Sequence, residues 1–405
     1  MNNRILLYLF ISVVSIITVS CNPKNKKKSS EGILSNKEPT IVDLTDIKKI
    51  NSPINLSEFA ESISYIQLDE EPLLGEIRFA TLYVVEDTIY VVRENIYKYT
   101  PEGRFIKKLF REGQGPEEAK KRISTHTAIN RQGRYFTFLN AFGNNYKSYS
   151  FDGQYIGHES IIDSLEKRIN IYIDNCQVFE YVSSRNTYFK VGEKMNIIGP
   201  NMFYVKDLSK DEIRFKLPNP AAEEMATYKI QMEWAGSNMH FNQIDSLLWF
   251  KHPAIDTLYY TKDFKTVNPG YIFKMDNSFM DMNKYIHYRV GDIKKEEAMN
   301  LKMISEAIPL PNHNLLFFLG NGQIGFADLN GQTSIYNEKP IINDLDTLLP
   351  EINHFNIFYA QQFSIENGYL YFIMDAYKFF EEGSNSPFSS LSEDSNPVVV
   401  KIKLK

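Results

Sequence analysis

Histidines come first among the residues that could do chemistry, because imidazole is the commonest metal ligand in proteins. A zinc or calcium site needs its ligands at defined spacing, such as paired histidines on one helix face or the acidic positions of a calcium loop. The histidines follow no such spacing and are scattered along the chain: His126, His158, His240, His252, His287, His313 and His354. The spacing favours structural histidines, and it predicts no metal site.

Carboxylate runs are the next candidates, because two neighbouring carboxyl groups can act as general acid and general base. One run is Asp69-Glu70-Glu71, and Asp344 with Asp346 forms another. Solvated turns explain both runs more simply, since charge runs usually face water. No G-x-S-x-G nucleophile elbow occurs in the sequence. We therefore predict no catalytic residue.

Cysteine and tryptophan side chains complete this set. Cys176 lies in an apolar stretch with no histidine near it in sequence to activate a thiolate, which indicates packing rather than catalysis. Trp249 lies inside an apolar strand pattern and is predicted to belong to the core. Trp234 lies in a loop, where an indole can stack on a sugar ring. We take Trp234 as a candidate ligand residue, and capping of the core is the alternative.

Cys21 has the most specific setting of any residue. An apolar run over residues 5–19 begins just after Arg4; it is typical of a signal peptide and too short to span a bilayer. The residues Thr18-Val19-Ser20-Cys21 resemble the bacterial lipobox, where a diacylglycerol is attached to the thiol and the chain is cut before it. Residues 1–20 are therefore predicted to be a lipoprotein signal peptide. An ordinary secretory signal with an incidental cysteine is the alternative.

A polar segment follows the cysteine. Residues 22–31 are too polar to bury a core, so residues 21–54 are predicted to be a lipidated cysteine and a flexible tether to the membrane. No acidic residue precedes Glu31 in this segment. In the lipoproteins that the segment resembles, acidic residues after the cysteine favour surface display. We therefore expect an outer-membrane lipoprotein of the bacterial envelope that faces the periplasm rather than the cell surface.

Composition limits the class of protein to which the chain can belong. The 405 residues are 43% hydrophobic and 23% charged, which is enough for a large globular core. A net charge of -5 and a pI near 5.9 argue against a nucleic-acid partner, because phosphate contacts require a concentrated basic face. With Cys21 lipidated, Cys176 has no partner for a disulfide.

Short alternating aromatic and aliphatic segments predict strands after the tether. The clearest unit has four strands within residues 82–109, with Pro101-Glu102-Gly103 as a hairpin turn whose glycine supplies a positive φ. About fifty residues later the pattern returns, with Asp152-Gly153 at the corresponding turn. Further copies follow, of which the third and fourth are ragged. Such repeats predict a β-propeller, whose blades are four-stranded antiparallel sheets.

The last copy suggests how the ring closes. It ends with the apolar strand 398–404 and lacks an outer strand, so residues 62–68 are predicted to complete it. We therefore predict an all-β fold, a six-bladed β-propeller over residues 55–405 with four-stranded antiparallel blades and N-terminal strand exchange. Five or seven blades are the alternatives. Residues 293–301, within a long interruption of the strands, are expected to hold a helix.

Three segments, 62–68, 90–109 and 110–118, resemble the six-bladed β-propeller lipoproteins of Bacteroidetes, which are related in architecture to NHL-repeat propellers. The third, Phe110-Arg111-Glu112-Gly113-Gln114-Gly115-Pro116-Glu117-Glu118, corresponds to the family's hallmark. The resemblance implies the fold and the envelope location more than an activity. In the loop itself, the glycines let backbone approach a ligand closely and Pro116 stiffens the exit. Arg111 and Gln114 are therefore candidate ligand contacts, and a connector between blades is the alternative.

A closed ring with loops on one face is a rigid platform for binding. We therefore expect a lipid-anchored, non-catalytic binding or scaffold module for a glycan, a peptide or an envelope protein, and we predict no cofactor. The alternative is a metal-dependent enzyme, such as a lactonase or lyase, with a divalent metal held in the central channel by one residue from each of several blades. Stoichiometric bound metal would separate the two.

Overall fold

The structure is a computed structural model of the chain, and it describes residues 33–405 with gaps. The residues that it leaves out are 1–32, 35–37, 76, 78–79, 122–126, 132, 143–144, 161–168, 174–175, 181–188, 192–193, 197–200, 208–211, 219–239, 245–246, 252, 263–265, 331–332, 350, 353–362 and 382–383. For the strands within residues 159–218 it describes the backbone alone. Cys21 and Trp234 lie outside the described residues, as do His126, His252 and His354.

Strands make up most of the described chain. In chain order they are β1 (Ile33–Leu34), β2 (Thr40–Asp43), β3 (Lys48–Lys49), β4 (Ala60–Gln67), β5 (Thr81–Val85), β6 (Thr88–Val92), β7 (Ile96–Tyr99), β8 (Phe105–Lys108), β9 (Thr127–Asn130), β10 (Tyr135–Leu139), β11 (Asn145–Ser150), β12 (Tyr155–Ser160), β13 (Ile169–Ile173), β14 (Cys176–Glu180), β15 (Phe189–Val191), β16 (Lys194–Asn196), β17 (Asn201–Asp207), β18 (Glu212–Pro218), β19 (His240–Ile244), β20 (Leu247–Lys251), β21 (Thr257–Thr261), β22 (Thr266–Lys274), β23 (Ile304–Leu310), β24 (Asn314–Leu319), β25 (Gln323–Asp328), β26 (Thr333–Asn337), β27 (Ile341–Ile342), β28 (Glu351–Ile352), β29 (Phe363–Glu366), β30 (Tyr369–Met374) and β31 (Val398–Leu404).

Helices are few. They are α1 (Met282–Val290), α2 (Lys295–Met299) and three 3-10 turns at Leu56–Glu58, Gly320–Gly322 and Ala376–Phe380. The helix expected within residues 293–301 is confirmed as α2, whereas α1 was not predicted from sequence.

Antiparallel meanders build the large sheets, as the alternating pattern predicts. Sheet A contains β5 to β8, sheet B contains β9 to β12, and sheet C contains β13, β14, β17 and β18. Sheet D has ten strands, and the order of nine of them is β1-β22-β21-β20-β19-β29-β30-β31-β4. The tenth strand, β2, pairs with β22. Sheet E contains β23 to β26 and β3. The all-β, mainly antiparallel propeller prediction is confirmed at this level.

The predicted number of blades is wrong, because the described strands form five sheets of four or more strands rather than six. Two units that the sequence predicts as separate blades merge into sheet D. They join where Ile244 of β19 pairs in parallel with Ile365 of β29. A single backbone pairing between two first strands is a tertiary contact, which a repeat pattern read along the chain does not contain.

The N-terminal part of the chain supplies outer strands to two sheets. β4 pairs antiparallel with β31, from Val398 opposite Gln67 to Leu404 opposite Ala60. β2 runs parallel to β22, and β3 runs parallel to β26. Residues 40–43 and 48–49, which the sequence places in the flexible tether, therefore form strands on the outer edges of sheets D and E, and this corrects the predicted extent of the tether.

The same turn joins neighbouring sheets at two junctions. Gly103, between β7 and β8, has a φ of +88° and lies against the backbone oxygen of Gln67 at the end of β4. Gly153, between β11 and β12, has a φ of +78° and lies against the backbone oxygen of Leu109, just after β8. These positive φ values confirm the two hairpin turns predicted from sequence. β4 therefore meets sheet A in the way that β8 meets sheet B.

The apolar core lies between sheets. One cluster lies between sheets A and B, where the rings of Tyr90 and Phe136 are 5.0 Å apart. A second joins sheet A to β30 and β31, and the largest lies within sheets D and E. Trp249 belongs to the largest cluster and is 8% exposed, as predicted. Packing of this kind, sheet against sheet, is what stacked propeller blades require.

Candidate functional site

The loop that carries the hallmark sequence is fixed to sheet B by one buried lysine. Lys147 of β11 is 5% exposed, and its Nζ donates to the backbone oxygens of Gly115 at 3.2 Å, Pro116 at 3.0 Å and Glu118. Burial lowers the pKa of Lys147. These bonds hold the backbone of the loop on sheet B. The contacts favour the connector interpretation of this loop.

The two sequence-predicted loop residues take no part in the contacts of Lys147. Glu118 accepts a hydrogen bond from the backbone N–H of Gly115 at 3.1 Å, which closes the turn. Arg111 and Gln114 are exposed, and neither side chain bonds to another residue that the structure describes. Trp234, the third candidate, falls outside those residues, so the structure does not test whether the three share a surface.

A cleft of about 590 Å³ opens where β4 meets sheet A. Three distant parts of the chain line it: the end of β4 and the turn that follows, the hairpin before β8, and the loop before β31. Their side chains include Tyr65, Asp69 and Glu70 from the first, Glu102 from the second and Phe388 from the third. The N-terminal strand therefore contributes one wall of the cleft as well as an outer strand of sheet D.

The loop that forms the opposite wall is held in place by Asn396, which is 1% exposed. Its Nδ2 donates to the backbone oxygen of Pro72 at 2.9 Å, and its Oδ1 accepts from the backbone N–H of Leu74 at 2.8 Å. Nearer the cleft, the Ser390 hydroxyl donates to Gln67 Oε1 at 2.8 Å. These bonds join both walls, so the cleft is formed before any ligand arrives.

Carboxylates dominate the electrostatics of the cleft. Asp69, Glu70 and Glu102 line it, and no lysine or arginine is among its lining residues. Asp69 Oδ2 accepts a hydrogen bond from the backbone N–H of Phe105 at 2.7 Å. Glu70 Oε2 accepts one from the backbone N–H of Asn396 at 3.3 Å. Glu102 Oε2 lies 3.5 Å from Arg104 Nη2 in an exposed ion pair, whereas Asp69 and Glu70 form no ion pair with the described residues. Carboxylates around a concave surface attract cations.

Sequence reasoning assigned Asp69 and Glu70 to a turn, which agrees with their backbone hydrogen bonds. It missed the cleft because Glu102 and Phe388 lie far from that turn in sequence. The one signal for it was the predicted pairing of residues 62–68 with the C-terminal strand, which brings these segments together.

Polar side chains also lie on the first strand of several units, which in a propeller is the strand nearest the central channel. Arg131, just after β9, forms an ion pair with Glu366 of β29, with Nη1 2.6 Å from Oε2 and side-chain exposures of 17% and 12%. Arg131 Nη2 also donates to the backbone oxygen of Val84 in β5 at 3.3 Å, and the backbone N–H of Val84 donates to the Ser364 hydroxyl at 3.1 Å. This Arg131–Glu366 group ties sheets A, B and D together.

A second polar pair joins sheets D and E. Glu306 of β23 and Asn242 of β19 are each 6% exposed, and Asn242 Nδ2 donates to Glu306 Oε1 at 2.8 Å. Burial raises the pKa of Glu306 to about 7, and the hydrogen bond from Asn242 offsets only part of that rise. Neither residue was a candidate from sequence, because an isolated glutamate in an apolar strand pattern carries no spacing signal.

The raised pKa of Glu306 predicts a specific dependence of stability on pH. Between the ordinary glutamate pKa near 4.5 and the folded value of about 7, the folded state binds more protons than the unfolded state. The Glu306 contribution to stability therefore falls as pH rises through this window and is constant above it. We expect Glu306→Gln to match the wild type near pH 4.5 and to exceed its free energy of unfolding by about 3 kcal/mol at pH 8.

Urea denaturation of both proteins across this pH range measures the difference. A difference that stays constant between pH 4.5 and 8 would contradict the raised pKa. Glu351→Gln, an exposed glutamate in β28, is the control, and we expect no pH-dependent difference for it.

The described part of the chain contains neither a metal cluster nor a membrane-spanning helix. Among the residues that the structure describes, no three histidine, cysteine or carboxylate side chains lie close enough together to hold a metal ion. His158 Nδ1 lies 2.8 Å from the Tyr155 hydroxyl, and His287 Nδ1 lies 3.0 Å from Asp292 Oδ2. No helix in the same residues is long and apolar enough to cross a membrane.

Solved structures are similar to the chain at low sequence identity. A Bacteroides fragilis protein described as exported is similar over 90% of this chain and 100% of its own, with a TM-score of 0.58 and 13% identity. A member of the DUF4221 family from Bacteroides vulgatus is similar over 85% of this chain and 97% of its own, with a TM-score of 0.46 and 14% identity. BamB from Moraxella catarrhalis covers 85% of this chain and 99% of its own, at a TM-score of 0.38 and 9% identity. Only the first is similar enough to bear on the fold.

No curated protein matches the chain. A family model does match, however, and it covers residues 39–403, from the strands that lie inside the predicted tether to the last residues of β31. Its range thus includes all the sheet strands described above except β1, the cleft beside β4 and both polar groups on the first strands. The chain belongs to the family whose description is "Domain of unknown function (DUF4934)".

Proposed function

We propose that this protein is a lipid-anchored propeller of the bacterial envelope that acts as a non-catalytic binding module. The apolar run that ends at Cys21 supports the anchor, and the exported Bacteroides fragilis protein of the same fold supports the location. Attachment of the lipid to Cys21, in an outer-membrane lipoprotein that faces the periplasm, belongs to this proposal.

Ring closure by the N-terminal strand is a further part of the proposal. β4 pairs with β31, and Gln67 at its end meets Gly103 of sheet A in the way that Leu109 meets Gly153 at the next junction. An exchanged strand that repeats the contact found between consecutive sheets is what strand-exchange closure requires. The closure would also fix the cleft, because β4 forms one of its walls.

The cleft beside β4 is the observation that carries the binding function. It combines an aromatic ring at each side, Tyr65 and Phe388, with the carboxylates of Asp69, Glu70 and Glu102. An aromatic surface next to carboxylates suits a lysine or arginine side chain, whose stem packs on the ring while its charge meets the acid. We infer that the ligand is a basic segment of a peptide or envelope protein, in preference to a neutral glycan.

Charge removal in the cleft tests this inference. We expect the double variant Glu70→Gln with Glu102→Gln to bind a fluorescein-labelled lysine-rich hexapeptide about fivefold to tenfold more weakly than the wild type, as measured by fluorescence anisotropy. Binding should also weaken as salt increases, because the cleft is open to solvent. The glutamine side chains keep the shape of the replaced groups and one of their two acceptor oxygens, while they remove the charge.

The control variant changes the same charge elsewhere. Glu296 and Glu297 of α2 are exposed and do not line the cleft, so Glu296→Gln with Glu297→Gln should bind the peptide as the wild type does. Equal loss of affinity in both double variants would show only a net-charge effect and would overturn the assignment to the cleft. Preference for a glutamine-substituted hexapeptide or for a neutral oligosaccharide would overturn the basic ligand.

A further inference from the structure

The pair formed by Asn242 and Glu306 lies apart from the cleft. Both residues occupy first strands, β19 and β23, and are joined by the 2.8 Å hydrogen bond from Asn242 Nδ2 to Glu306 Oε1. Each is only 6% exposed. In a propeller, such a position borders the central channel rather than the outer rim.

The carboxyl group of Glu306 has no compensating positive charge in the described structure. Burial and the Asn242 amide are the two causes that set its pKa, and no lysine or arginine contributes. Lys251 Nζ is engaged by backbone oxygens, including Ile304 at 3.2 Å, and Arg131 is paired with Glu366. Opposite Glu306 on β24 lies the apolar side chain of Phe318.

Two acceptor atoms of the pair are also unused. Within the residues described, Glu306 Oε2 and Asn242 Oδ1 have no hydrogen-bond partner. A buried carboxyl group without a counter-charge costs stability, and replacing it with a neutral side chain would remove that cost. A group of this kind marks a candidate functional site when it also faces an open space.

We propose that Asn242 and Glu306 form a binding site for the ammonium group of an organic amine that enters the channel. The ammonium would donate one N–H to Glu306 Oε2 and another to Asn242 Oδ1, which uses both free acceptors. A charge-assisted bond in a buried setting is stronger than a neutral one, so the amine gains most from the ionised carboxylate. A bare metal ion fits less well, because hard cations take more oxygen ligands than this pair offers.

Binding of an ammonium group is coupled to loss of the Glu306 proton. When the carboxyl group is protonated, its proton leaves to solvent as the amine binds, and the ligand keeps all of its own protons. Affinity should therefore fall as pH drops below the pKa of Glu306, by about tenfold for each pH unit. Aliphatic amines remain protonated throughout this range, so the change reports the protein alone.

The test uses n-butylammonium chloride as the probe and isothermal titration calorimetry on the full chain in detergent. We expect binding at pH 8 that is at least tenfold weaker at pH 5.5, with release of close to one proton at the lower pH. Two buffers of different ionisation enthalpy give the number of protons released. Glu306→Gln should lose the binding, whereas Glu306→Asp should bind more weakly and keep the dependence on pH.

Three results would overturn the proposal: no heat of binding to the wild type at pH 8 with 100 mM probe, equal binding by Glu306→Gln, or equal competition by 1-butanol. The cleft variant Glu70→Gln with Glu102→Gln should bind n-butylammonium as the wild type does. Its behaviour separates this site from the function proposed for the cleft, because each site can fail without the other. The urea denaturation of Glu306→Gln shows in parallel that the variant is folded.

Discussion

Gly103→Ala should lower the free energy of unfolding by about 3 kcal/mol or more. Gly103 has a φ of +88°, and a Cβ atom at this position would lie 2.0 Å from the backbone oxygen of Gln67 and 2.9 Å from its carbonyl carbon. Backbone cannot rotate away as a side chain can, so alanine must push the end of β4 from sheet A. The positive φ adds a conformational cost of about 1 kcal/mol for any residue with a Cβ.

Gly291→Ala separates these two costs. Gly291 follows α1 with a φ of +89°, and a Cβ atom there would meet nothing within 4 Å. It should therefore show the conformational cost alone, about 1 kcal/mol. Urea denaturation followed by circular dichroism measures both variants. Equal losses would mean that the Gly103–Gln67 contact does not hold the two sheets together, and the proposed ring closure through β4 would lose its support.

Gly153→Ala extends the comparison to the next junction. A Cβ atom at Gly153 would lie 2.6 Å from the backbone oxygen of Leu109, so the crowding is less severe than at Gly103. The loss of stability should lie between those of the other two variants. Such a ranking follows from the geometry alone, and the order of the three values is more informative than any one of them.

Arg131→Met should cost about 3 kcal/mol, because it removes the ion pair that Arg131 forms with the largely buried carboxylate of Glu366. The Nη1 to Oε2 distance of this pair is 2.6 Å, and the two side chains are 17% and 12% exposed. The substitution would also deprive the backbone oxygen of Val84 of the hydrogen bond that Arg131 Nη2 donates. The loss should appear in urea denaturation as a lower midpoint with an unchanged slope.

A double-mutant cycle checks the mechanism of this loss. Adding Glu366→Gln to Arg131→Met removes the buried negative charge that has lost its ion pair with Arg131, so the double variant should be more stable than Arg131→Met alone. Lys49 and Glu338 are the matched control, since their ion pair is 2.7 Å long but 47% and 56% exposed. Lys49→Met should cost less than about 1 kcal/mol. Additive losses at Arg131 and Glu366 would show that the pair does not couple the sheets.

Local patterns predicted the elements of the fold better than their assembly. The strands of sheets A and B, the turns at Gly103 and Gly153 and the helix α2 lie where alternation and turn residues indicate. These features depend on neighbours in sequence, so a short window contains the information. The predicted number of blades is wrong because the pairing of Ile244 with Ile365 depends on where two strands far apart in sequence meet.

In the candidate sites, too, the sequence predicted local features but not the contacts between distant segments. The hallmark loop was visible as a sequence, but the carbonyl contacts of Lys147 favour its interpretation as a connector. The carboxylates near residue 70 were recognised, whereas their approach to Glu102 and Phe388 was not. Glu306 carried no signal in sequence, because its altered pKa arises from burial against other strands.

By itself, the sequence determined the all-β class, the repeated antiparallel units, their turn glycines and the pairing of residues 62–68 with the C-terminal strand. It did so because side-chain alternation and positive-φ turns are properties of short segments. Only the tertiary structure decided the merging of two units into sheet D, the cleft beside β4 and the environments of Arg131 and Glu306. These depend on desolvation and on contacts between residues far apart in the chain, and such properties exist only once the sheets have packed.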